Sequence, residues 1–139
     1  MGWDVYIMDF SEVPIRGDVP DWDQLPKDWQ PGPVGPKKDL IAKILEILPT
    51  TNFSDPTWGQ YAGEGFSVEF NVGSEDPIES IMLHVRGGEA AVDCVNRLIK
   101  HLEVRALDTT TGKLIDPDGH TDGMRLWREF RDQILSSKE

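Results

Sequence analysis

The chain has a single cysteine, Cys94, in 139 residues. No internal disulfide can form, so the oxidising compartments where small domains depend on such links are disfavoured. Long hydrophobic runs are missing too. No apolar stretch approaches the roughly 20 residues needed to cross a bilayer, and no basic segment followed by an apolar core opens the chain. A cytoplasmic setting without membrane contact is therefore expected. Positive charge is scarce: Lys plus Arg total 14 against 25 Asp plus Glu, a formal net charge of -11. That charge repels phosphate backbones and anionic lipids, which disfavours nucleic-acid binding; its plainer reading is solubility, and an acidic face for a basic protein partner is the alternative.

What is present suits one packed core. Hydrophobic residues make up 38% of the chain, well above the level of disordered sequences, and the length fits a single domain over residues 1–139. Trp3 to Phe10 is short, β-branched and aromatic, with Trp3, Val5 and Ile7 on one side and Asp4, Tyr6 and Met8 on the other, as in a strand. Residues 13–36 then carry six of the ten prolines, which remove backbone donors and fix φ, excluding a long helix or a central strand. Val19, Trp22, Leu25 and Trp29 recur among them, so this segment is expected to wrap the fold.

Leu40, Ile41, Ile44, Ile47 and Leu48 fall on one helical face between Pro36 and Pro49. Thr50 to Gly65 reads as an irregular connection with aromatic anchors. In Phe66 to Val72 the apolar residues alternate strictly with Ser67, Glu69 and Asn71, the pattern of a half-buried strand. Ile78 to Arg86 reads as its antiparallel return strand, with Ser80, Met82, His84 and Arg86 on the reverse face. Helical periodicity covers Glu89 to Leu102, Glu103 to Asp108 reads as a strand, and Asp122 caps a final helix running to about Leu135. The expected architecture is α+β: a ferredoxin-like βαββαβ antiparallel sheet, a long proline-rich loop after the first strand and an appended C-terminal helix.

Ser67, Glu69, Asn71, His84 and Arg86 share one strand parity, and a diagonal neighbour across the hairpin lets Glu69 orient or pair with His84. A carboxylate beside an imidazole suits acid–base chemistry, yet no serine, threonine or cysteine in a nucleophile setting accompanies it. These five residues are the candidate ligand or partner surface, the plainer reading being a solvated sheet face, and no catalytic residue is assigned. Trp22 and Trp29 are candidate partner-binding aromatics, because a large amphipathic ring gives much contact area at little entropic cost; the plainer reading makes them lids on the core.

No metal or cofactor is expected. The loop Asp116 to Asp122 gathers oxygen and imidazole groups, but a calcium loop counted from Asp116 requires glycine where Thr121 stands and glutamate where Trp127 stands. Arg86-Gly87-Gly88 lacks the GK[ST] ending of a phosphate loop and the spaced glycines of a dinucleotide fingerprint, so it reads as a sharp turn. Cys94 reads as a small core residue.

Trp3-Asp4-Val5, Phe66 to Gly73, Pro77-Ile78-Glu79-Ser80, Leu83 to Gly87, Leu107-Asp108 and Trp127 together make the chain resemble a family of small uncharacterised bacterial proteins. Some members of that family look like immunity-type proteins of bacterial toxin systems. The resemblance implies a bacterial, intracellular, single-domain protein and assigns no residue a role. Two functions follow as expectations: an acidic, non-enzymatic protein-binding module, or a small-molecule binder or enzyme using the Glu69, Asn71, His84 and Arg86 face.

Overall fold

A computed structural model describes residues 2–115. The first strand, β1 (Gly2–Met8), buries Trp3, Val5 and Ile7 on one face and turns Asp4 and Tyr6 to the other, as its two-residue alternation requires. In the proline-rich segment, β2 (Ile15–Arg16) and β3 (Val19–Pro20) form a small antiparallel ribbon, followed by one 3-10 turn at Trp22–Gln24. The ribbon's tight turn places Gly17 at a φ of +65°, a left-handed conformation that glycine adopts without a Cβ clash.

Helix α1 (Lys37–Ile47) starts directly after Pro36 and buries Leu40 and Ile44. Four strands follow: β4 (Asn52–Asp55), β5 (Trp58–Ala62), β6 (Phe66–Asn71) and β7 (Ile81–Gly87). Helix α2 (Glu89–Leu102) has the limits that its periodicity predicts, and β8 (Arg105–Asp108) and β9 (Lys113–Leu114) end the described chain. The main sheet runs β4-β5-β6-β7-β1-β8-β9 with antiparallel neighbours throughout.

This seven-stranded sheet replaces the expected ferredoxin-like βαββαβ arrangement. The difference lies mainly in Thr50 to Gly65, which forms the hairpin β4–β5 instead of an irregular connection. Its turn is built by Asp55, whose Oδ1 accepts the Thr57 hydroxyl at 2.7 Å and the Thr57 amide at 2.9 Å. Those two bonds hold the Asp55 carboxyl below its ordinary pKa. The return strand also starts later than expected, at Ile81, while Ile78 makes an isolated antiparallel bridge with Gly35; Pro77 has no N–H to give to a ladder. The expected C-terminal helix and the loop from Asp116 to Asp122 lie outside the described residues.

Both helices pack on one face of the sheet. Val5, Ile7, Val68, Phe70, Ile81, Leu83 and Val85 meet Leu40 and Ile44 of α1 and Val92, Val95, Leu98 and Ile99 of α2 in one buried cluster. Each such side chain contributes about 1.5–3 kcal/mol on burial. The other face carries a smaller cluster in which Val13, Ile15, Leu25 and Trp29 of the proline-rich segment pack on Met8, Phe10, Leu107 and Leu114. That strap covers the β1–β8–β9 end of the second face, and the β5–β6–β7 end stays half-exposed.

Candidate functional site

Strand register assembles the site. His84 on β7 stands opposite Asp4 on β1 and, on its other side, opposite Glu69 on β6; Glu69 in turn stands opposite Gln60 on β5. Four polar side chains thus form one row across four strands of the open face. One row along, Arg86 pairs with Ser67; one row back, Met82 separates Asn71 from Tyr6. All five residues expected from strand parity therefore share this face, and Phe70, beside Glu69 in sequence, is fully buried on the opposite one.

The imidazole has a different carboxylate partner from the one expected. His84 Nδ1–H donates to Asp4 Oδ1 at 2.9 Å, since an ionised carboxylate can only accept. Glu69 stands directly opposite His84 in the ladder, not on a diagonal, and Asp4 supplies the orienting bond. A second missed residue is Trp58, whose ring stacks on His84 with centroids 5.7 Å apart and planes 20° from parallel. Both belong to strands flanking the predicted hairpin, so the hairpin's own alternation carries no sign of them. The His84 and Asp4 side chains remain 37% and 49% exposed, which leaves this pair open to solvent.

Two open grooves lie on this face, one of them including Gln60 and Glu69 of the row. One of about 430 Å³ runs along Asn52, Gln60, Tyr61, Ser67 and Glu69; one of about 130 Å³ lies at Asn71, Glu79, Ser80 and Met82. Neither is lined by His84. The imidazole, half-exposed beside Asp4, lies outside both of them, on a surface suited to contact with another surface.

The two candidate tryptophans are held differently. Trp22 is 44% exposed, among the described residues one of two exposed large apolar side chains with Val19, and its ring lies near Phe10 at a centroid distance of 6.1 Å. Trp29 is half-buried, and its Nε1–H donates to Glu12 Oε2 at 3.0 Å, which gives it a structural role in the strap. Gly87 answers to backbone crowding: its φ is +132°, and a Cβ there would stand 2.5 Å from the Phe66 Cβ and 2.8 Å from the Gly65 carbonyl oxygen. Cys94 is buried in α2, and desolvation pushes its thiol up to about 11 against a smaller lowering by Arg97, which suits a core residue and not a thiolate nucleophile. Among the described residues, no three His, Cys, Asp or Glu side chains converge to hold a metal ion, and no helix is long and apolar enough to cross a membrane.

No protein-family model, curated protein or solved structure matches this chain.

Proposed function

We propose that this protein is a non-enzymatic binding module of the bacterial cytoplasm that docks a basic protein partner on the open half of its sheet. The observation that carries this reading is the Asp4–His84–Glu69 row with Trp58 stacked at its centre. Two carboxylates flank an amphipathic Trp–His plate on a surface that the strap leaves half-exposed. Such a plate supplies contact area at little entropic cost, and the carboxylates, backed by a chain charge of -11, attract a cationic surface and speed its encounter. Neutralisation of a basic toxin, in the manner of the immunity-type proteins that the sequence resembles, is one role that this chemistry suits.

The alternative, acid–base chemistry or small-ligand binding on the same face, draws on the Asp4–His84 bond alone, and His84 lines neither of the two grooves beside it. The test is capture from a bacterial lysate on the immobilised full chain, run in parallel with the Asp4→Asn/Glu69→Gln and Trp58→Ala variants. A basic protein should be retained at low salt, released at high salt, and lost from both variants. Equal retention by the native chain and the variants, or no salt-sensitive basic protein at all, overturns the proposal.

A further inference from the structure

A separate groove of about 340 Å³ opens where β1 ends, between the strap at Pro33–Val34 and the α2–β8 turn. Its lining is of two kinds. Met8 and Phe10 are buried and Val34 and Val104 half-buried, which makes an apolar floor; Asp9, half-buried, and Glu103 and Arg105, both exposed, line the same groove. The volume lies at the lower end of the range typical of small-molecule sites, roughly 300–1,000 Å³.

The charged groups are set by the backbone. Arg105 is placed on this side of the sheet by its ladder pairing with Met8. Glu103 follows the last turn of α2 in the left-handed conformation, at a φ of 56°, with its amide donating to the Lys100 carbonyl at 3.2 Å. Asp9 Oδ1 accepts the Ser11 amide at 2.9 Å, and its other oxygen lies against the strap at Gly32, 3.3 Å from where a Cβ there would stand. The Ser11 hydroxyl and amide together hold the Asp9 carboxyl below its ordinary value. Arg105 makes no ion pair with another described residue, so one cation and two anions stand around one groove without cancelling each other.

We propose that this groove binds a free α-amino acid with an apolar side chain. Its carboxylate pairs with the Arg105 guanidinium, a fork suited to two parallel N–H···O bonds. Its ammonium is held by the Asp9 and Glu103 carboxylates, and its side chain lies on Met8, Phe10, Val34 and Val104. The ligand must carry both charges on an apolar body, because either charge alone leaves one sign of the rim unmatched. The proposal is independent of docking on the open sheet face.

Isothermal titration of the full chain with L-leucine and L-phenylalanine, against leucinamide and N-acetyl-leucine, is the test. Saturable binding of both free amino acids is expected, with each blocked derivative weaker by about tenfold or more, as the loss of hydrogen bonds to a charged group implies. Arg105→Ala should weaken leucine and leave leucinamide unchanged, while Glu103→Gln weakens both; a thermal melt shows that each variant folds, and Arg105→Gln replaces Arg105→Ala should that one fail to fold. Absence of saturable binding at millimolar concentration, equal binding of leucine and leucinamide, or full leucine affinity in a folded Arg105→Ala protein overturns the proposal.

Discussion

The indole Nε1–H of Trp3 donates to Asp108 Oδ1 at 3.0 Å across 105 residues of chain, and both side chains are buried. The same oxygen accepts the Thr110 amide at 2.8 Å, so one carboxylate fastens the first strand to the turn after β8. Asp108→Ala removes the buried oxygen that both donors share, at a cost of about 1–3 kcal/mol. Asp108→Asn keeps the accepting oxygen and should cost less. Urea denaturation midpoints of the two variants check the ranking, and an Asp108→Ala midpoint equal to the native one would remove this bond from the stabilising contacts.

Gly59 and Phe53 make a steric pair. A Cβ at Gly59 would stand 2.5 Å from two carbons of the Phe53 ring, which lies across from it in the β4–β5 hairpin and packs on Phe70 at 6.2 Å. Gly59→Ala should therefore destabilise the protein by about 1–3 kcal/mol through overpacking. In a Phe53→Ala background the same substitution should cost much less, because the clash partner is gone. A double-mutant cycle reads that coupling directly, and strictly additive effects would contradict it.

The raised thiol of Cys94 sets a pH dependence. Burial lifts its pKa from the ordinary 9.0 to about 11, so between those values the unfolded chain gives up a proton that the folded chain keeps. This group's contribution is complete below pH 9 and is lost as pH rises towards 11. Cys94→Ala should flatten stability over that window, and the native thiol should resist alkylation at pH 8 until denaturant is added. Rapid alkylation of the folded protein at pH 8 would contradict the assignment.

Local periodicity was legible wherever one face of an element meets the core and the other meets water. The alternation from Phe66 to Asn71 and the helical stripe from Glu89 to Leu102 each led to an observed element. The β4–β5 hairpin escaped because Asn52, Ser54, Asp55 and Gly59 have poor strand propensity. Phe53 and Tyr61 there are only partly buried, so no contrast of faces marks the strands. With those two strands unseen, the architecture inferred from the remaining elements was wrong. Of the candidate site, the His84, Glu69, Asn71, Ser67 and Arg86 parity was readable from one hairpin, whereas Asp4 and Trp58 come from strands 80 residues before His84 and beyond β6.

By itself, the sequence determined which residues of each strong element turn inward, the limits of α2, the strap-like character of the proline-rich segment and the acidic surface. Each follows from interactions within a few residues, or from composition alone. Tertiary structure alone decided that β1 enters the sheet between β7 and β8, that the hairpin of modest propensity joins the far side, and hence that Asp4 and Trp58 meet His84. Ladder pairing between distant strands is selected by the burial of the whole sheet under two helices, and that free energy belongs to no local stretch of chain.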